Sequence, residues 1–121
     1  MVINPNDIKP IYIQIAEGIE EDILKGIIEE EMQVMSTTEF AQVYGINPAT
    51  TRKAMNILVD KGILYKKRGL GMFVTFGARE KIRIWKREEF LNNKLKSIME
   101  EGKSIGISIE DIITCLNKLK D

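Results

Sequence analysis

The side chains of this sequence best suited to binding are Arg52, Lys53, Lys66, Lys67 and Arg68, and what such groups bind is phosphate. Arginine offers a planar fork of five donors and lysine a compact charge with three, so the set suits a polyanion. It lies in a basic stretch. Residues 52–96 hold 13 basic and 4 acidic side chains, net +9, whereas residues 1–51 carry net −7 and residues 97–121 net −2. A neutral chain with a strongly positive middle is the pattern of a local anion-binding surface. A long solvated helix is the competing source of these charges, and charge alone leaves both readings open.

Most other chemistry is excluded by composition. Among 121 residues there is no histidine and one cysteine, Cys115. A Ser-His-Asp triad, a Cys-His pair, a His- or Cys-rich zinc site and an intrachain disulfide cannot be built from that set. The carboxylates are scattered and no nucleophile has a base beside it, so neither enzymatic activity nor a cofactor or metal is expected. Gly69 and Gly71 do not make a dinucleotide-binding loop. That motif needs a small residue near position 74 and a helix after the glycines, and Val74 stands there in a β-rich run. The length suits about one domain, or a small domain with an appendage. No apolar run approaches the ~18 residues of a membrane span, and no basic stretch at the N-terminus leads into one. A protein of a reducing, cytoplasmic compartment, with no membrane partner, is expected.

A series of short elements must position the basic residues. Pro10 suits a first helical position, and Ile11, Tyr12, Ile15, Ala16, Ile19 and Ile23 then form an apolar stripe with Glu17, Glu20, Glu21 and Asp22 mostly off it; Gly26 ends the helix. Residues 27–35 read as an acidic connector with room for a brief strand. Ser36-Thr37-Thr38-Glu39 fits a capping box, after which Phe40, Ala41, Val43 and Tyr44 supply apolar contacts up to Gly45. Asn47 caps and Pro48 opens a helix over about 48–61. Two short helices joined by a glycine-containing turn predict a helix-turn-helix. The second has Thr51, Ala54, Met55 and Leu58 on one stripe and Ala49, Arg52, Lys53, Asn56 and Asp60 opposite, small and polar enough to enter a major groove. A solvated face is the alternative. Residues 63–67 and 72–76 predict a hairpin around Arg68-Gly69-Leu70-Gly71. Helix starts at Thr37 and Pro48 are expected to aim free amides at phosphates, with hydroxyls from Ser36 and Thr37 and cations from Lys66, Lys67 and Arg68.

Beyond residue 77 a helical pattern over 78–101 places Ile84, Leu91, Leu95 and Ile98 within about 60° of one another at the α-helical period, with Trp85 and Met99 on one shoulder. Residues 102–106 are expected to break it. Ser108 caps a last helix with Ile109, Ile112, Ile113, Leu116 and Leu119 on one side. Two helices cannot enclose a core, so these stripes must pack on the N-terminal part, on each other or on a second chain. A homodimer through Ile84, Leu91, Leu95, Ile98, Ile112 and Leu116 is expected. Trp85, Phe90 and Met99 read as core or interface before a ligand cage, though an unknown small-molecule effector stays open. Cys115 reads as a buried small hydrophobe before a redox sensor.

Helix, helix-turn-helix and Gly-x-Gly hairpin is a winged-helix order. The blocks at 10–16, 47–58 (Asn-Pro-Ala-Thr-Thr-Arg-Lys-Ala-Met-Asn-Ile-Leu), 61–64 (Lys-Gly-Ile-Leu) and 68–74 (Arg-Gly-Leu-Gly-Met-Phe-Val) resemble the N-terminal domain of the GntR family of bacterial transcriptional regulators. The short two-helix tail is similar to the YtrA-like branch. The resemblance implies a mainly α fold with a small β-hairpin: a winged helix-turn-helix domain at 1–76, followed by two C-terminal dimerisation helices at 77–121. It implies a sequence-specific regulator, a repressor in expectation, that binds double-stranded DNA as a homodimer on a palindromic operator. It places Arg52 as a DNA contact, Thr50 as its phosphate or base-edge neighbour, Arg68, Gly69 and Gly71 in a wing reaching the minor groove, and Phe73 and Val74 in the wing core. The family commonly has Gly at position 31, Pro at 35, a DNA-contacting Arg at 38 and Lys at 70, where this chain has Glu31, Met35, Thr38 and Leu70. Thr38, Leu70 and Glu31 motivate the rival function, a winged-helix protein-interaction module that has lost DNA binding.

Overall fold

A computed structural model describes residues 1–120. Its first helix, α1 (Ile11–Leu24), takes Pro10 as its N-cap, one place earlier than the sequence suggested. Ile15, Ala16, Ile19 and Ile23 are buried as the stripe requires. Glu20 is buried with them, contrary to its expected place off the stripe, and its carboxylate meets the Lys61 ammonium at 3.3 Å. Burying a carboxylate is tolerable only with such a partner, and this one pins α1 to the end of the third helix.

The helix-turn-helix follows as expected. In α2 (Thr37–Tyr44) both halves of the capping box form, Ser36 Oγ accepting from the Glu39 amide and Glu39 accepting from the Ser36 amide. Phe40 enters the core and its ring lies 5.4 Å from that of Tyr44, while Val43, expected to add apolar contact, faces solvent. Gly45 takes the left-handed conformation that ends the helix. The next helix, α3 (Pro48–Asp60), buries Thr51, Ala54, Met55 and Leu58.

Strands β1 (Leu64–Lys67) and β2 (Gly71–Val74) pair antiparallel, Leu64 opposite Val74 and Lys67 opposite Gly71. Because side chains alternate, Leu64 and Val74 face the core while Tyr65 and Phe73 stack on the other face with ring centroids 6.0 Å apart. Phe73 is therefore outside the wing core that the resemblance assigned it, and Phe76, beyond the strand, is 79% exposed. The connector does more than link. Its backbone runs along the free edge of β2 through Glu31 N to Val74 O (2.7 Å), Val74 N to Met32 O (2.9 Å) and Val34 N to Met72 O (2.9 Å). Glu31 reaches this path with φ +68°, the one non-glycine residue with positive φ among those described. Such a backbone favours glycine over any residue with a Cβ.

Two compact units divide after Arg83. The first, Met1–Arg83, includes the start of α4 (Ala78–Glu89), whose Ala78 and Ile82 belong to the core with Ile15, Ile19, Met55, Leu58 and Val74. Glu30, in the connector, accepts from the Gly77 and Arg79 amides at 2.9 and 3.0 Å, and Arg79 Nε donates to the Leu24 carbonyl at 3.0 Å.

In the second unit, from Ile84, the helix is not α throughout. A π-helical turn spans Phe90–Lys94, with the Leu95 amide donating to the Phe90 carbonyl, before α5 (Leu95–Ser104). Such a turn inserts one residue and rotates the helix beyond it by about 100°. Ile84 and the Leu95–Ile98 pair thus leave the single narrow stripe predicted for them and make two offset patches. Gly102 does not break the helix; it is buried inside α5, where a Cβ would meet Ile112 Cδ1 at 3.4 Å, and the chain turns at Gly106. The last helix, α6 (Ile109–Leu119), has its own capping box between Ser108 and Asp111. Ile112 is half-buried, whereas Ile84, Leu91, Leu95, Ile98 and Leu116 are 36–56% exposed in the single chain. Cys115 is exposed rather than buried. Among the described residues no helix is long and apolar enough to cross a membrane.

Candidate nucleic-acid interface

Three elements of the first unit meet around a cleft of about 370 Å³: the N-terminus of α2, the outer face of α3 and the hairpin. Ser36, Thr37, Arg52, Asn56, Lys66 and Gly71 line it over an apolar floor that includes Met35, Met55 and Met72. Lys66 shares the face of β1 that carries Leu64, so it leans toward α3. Ala49, Arg52 and Asn56 are spaced three and four apart and form one exposed line along α3, with no bulky apolar side chain among them.

Other residues singled out from sequence lie elsewhere. Lys53 sits with its ammonium 3.9 Å from the centre of the Tyr12 ring, held toward α1. Thr50 is half-buried and lines a second hollow with Ile3, Tyr44 and Ile46. Lys67 lies on the opposite face of the wing from Lys66, 4.4 Å from the centre of Phe73 and 5.8 Å from that of Tyr65. The two lysines are therefore not equivalent, although adjacent. Thr38 is exposed on the first turn of α2.

The helix N-termini also differ. In α3 the supply of amides is spent: Pro48 has none, Ala49 donates to Asn47 Oδ1 at 2.9 Å, and Thr50 donates to the Asn47 carbonyl at 2.9 Å. The free amides expected at Pro48 are absent for that reason. In α2 the capping box occupies the Ser36 and Glu39 amides, which leaves Thr37 and Thr38 with no intrahelical acceptor. Of these two termini, that of α2 keeps donors and partial positive charge for an anion.

At the tip of the wing, Leu70 N donates to the Lys67 carbonyl at 2.9 Å, closing a turn that carries Arg68 and Gly69 into solvent. Gly69 and Gly71 have φ of +79° and +123°, which only glycine adopts without strain. Leu70 is 64% exposed. Gln33 holds the turn from the connector, its Nε2 donating to the Leu70 carbonyl at 2.6 Å. Nothing in the sequence flagged Gln33, because its partner lies 37 residues away. No group of His, Cys, Asp and Glu that could hold a metal is found among the described residues.

Comparison with known proteins places these elements. The model of the "Bacterial regulatory proteins, gntR family" matches residues 11–74. Over 108 residues the chain is 35% identical to the HTH-type transcriptional repressor NagR of Bacillus subtilis, covering 89% of this chain and 41% of that one, so it spans less than half of NagR's length. It is 28% identical to the HTH-type transcriptional repressor YtrA of the same organism, covering 91% of this chain and 84% of YtrA. Among solved structures, a putative transcriptional regulator of the GntR family from Bacteroides thetaiotaomicron has a TM-score of 0.75 at 34% identity, covering 91% and 96% of the two chains. AraR(DBD) in complex with operator ORX1 has a TM-score of 0.56 at 32% identity, covering 62% of this chain and 93% of that one.

Proposed function

Because the chain belongs to the GntR family of bacterial regulatory proteins, we propose that it is a transcription regulator that binds double-stranded DNA through its first unit, and that it represses from a palindromic operator as a homodimer. One observation carries the DNA reading: Ser36 and Thr37 at the α2 N-terminus, Arg52 and Asn56 of α3 and Lys66 of the wing border a single cleft. In this reading α3 enters the major groove, the Thr37 and Thr38 amides with the Ser36 hydroxyl hold a phosphate, and Arg68 at the wing tip reaches the minor groove. That the similar AraR(DBD) is in complex with an operator supports DNA as the partner. None of these groups is activated for catalysis.

Dimerisation is supported by the exposed patches of Ile84, Leu91, Leu95, Ile98 and Leu116, since apolar faces of this extent on a soluble helix pair are costly unless covered. Selection of bound sequences from a pool of random duplexes tests the whole reading, because it returns half-site, spacing and symmetry together. An inverted repeat is expected, and no enrichment at low salt refutes DNA binding. Sedimentation of wild type and Leu95→Asp tests the dimer: a wild type that is monomeric at micromolar concentration refutes it.

A further inference from the structure

We propose that Gln33 is the positioning residue of the wing, setting the direction in which Arg68 is presented; this rests on the DNA-binding reading above. Two independent contacts tie Gln33 to the hairpin. Its backbone bridges Phe73 in β2, and its side-chain amide donates to the Leu70 carbonyl at 2.6 Å. A Cβ built on Gly71 would stand 2.7 Å from Gln33 Nε2, so glycine at 71 also clears the space the amide occupies. The Leu70 carbonyl belongs to the turn closed by Leu70 N and Lys67 O, and within that turn stands Arg68. Exposed hairpin tips swing freely when nothing braces them. This one is braced from the segment that runs on, three residues later, into the Ser36 cap of α2. Gln33 therefore gauges the separation between two phosphate-facing elements, the α2 N-terminus and the wing tip, which the chain places more than thirty residues apart.

A variant that keeps size and charge but cannot donate isolates this role. Gln33→Met is such a variant, and titration against a mixed-sequence duplex at low salt, in a double-mutant cycle with Arg68→Ala, reads the coupling. Gln33→Met should weaken binding roughly two- to tenfold, as loss of one oriented hydrogen bond implies. It should lower the magnitude of the salt slope in the same direction as Arg68→Ala, because the same cation is drawn away from the DNA. In the Arg68→Ala background the same change should do nothing further, and beside Arg52→Ala it should add in full. The melting temperature should stay close to that of wild type, as for most substitutions at exposed positions. Additive losses with Arg68→Ala would mean that Gln33 touches DNA itself or acts through general stability, and would overturn the inference while leaving DNA binding intact. A wild type that binds no duplex overturns both.

Discussion

Glu31→Gly should stabilise the protein, by an amount the backbone sets. Glu31 stands at φ +68°, its side chain is exposed, and its carboxylate makes no hydrogen bond or ion pair among the described residues. What it contributes is the backbone bond from its amide to the Val74 carbonyl, which glycine keeps. The left-handed conformation costs a residue with a Cβ roughly 1–2 kcal/mol. Glycine returns roughly 0.5–1 kcal/mol of that through its greater freedom in the unfolded chain. The net gain is about 0.5–1 kcal/mol, or a rise in Tm of about 2–8 °C for a unit of this size. Urea and thermal unfolding measure it. Glu31 ends an acidic run with Glu29 and Glu30, so relief of charge repulsion would also stabilise, and Glu31→Ala separates the causes. Alanine removes the charge and keeps the Cβ, so it should give no gain. If Glu31→Ala stabilises as much as Glu31→Gly, strain is not the cause and the reasoning fails.

Other expectations rest on side-chain placement. Arg52→Ala should cost about 1–3 kcal/mol on a selected operator and much less on scrambled duplex if it reads a base; equal losses on both would make it a phosphate clamp. Lys66→Ala should weaken both DNAs and lower the salt slope by about 2 in a dimer, one contact per subunit, whereas Lys67→Ala, taken from its seat over Phe73, should change the slope less; the reverse order in titrations at three salt concentrations refutes the placement. A fragment ending at Arg83 should melt well above one ending at Phe76, because the shorter loses buried Ala78 and Ile82, and deleting one buried Ile side chain costs about 2–5 kcal/mol; matching Tm values would contradict that. The Asp111 carboxyl is held below its ordinary 3.8, first by the Ser108 amide and then by the Ser108 hydroxyl. A lowered folded value means the cap is at full strength above pH 3.8 and is lost as pH falls through the folded value. Protection of the first-turn amides of α6, expressed relative to their intrinsic exchange rates, should therefore fall on acidification below pH 3.8 in wild type and change less in Asp111→Asn; identical protection profiles would refute the cap.

What the sequence disclosed and what it hid divide along a physical line. Local signals were legible. The Ser36–Glu39 box, the Ser108 cap, the Asn47–Pro48 start and the two wing glycines act within three residues of themselves, and the structure forms each of them. Partners far along the chain were not legible. Glu20 reads as surface until Lys61 arrives beside it, Lys53 reads as a groove cation until Tyr12 lies under it, and Gln33 reads as connector until it meets Leu70. Adjacent lysines look alike in sequence, yet strand alternation sends Lys66 and Lys67 to opposite faces. The π-turn escaped because an apolar period of 3.6 residues does not announce where one residue will be inserted.

The bond from Glu30 to the start of α4 has a consequence for how the protein assembles itself. The caps of α2, α3 and α6 come from within three residues, so those helices can begin from their own sequence. At the start of α4 the Ala78 amide is met locally by the Thr75 carbonyl, but the amides of Gly77, just before the helix, and of Arg79 find their acceptor 47 and 49 residues upstream. Nucleating a helix is the costly step, and a cap borrowed from far along the chain can support it only once the loop between has closed. The first turn of α4 therefore gains its Glu30 cap only after the connector has settled along β2, which favours its late consolidation. Native-state exchange should find the Arg79 amide opening together with those of Val34 and Val74, so that these distant stretches of chain form a single cooperative unit.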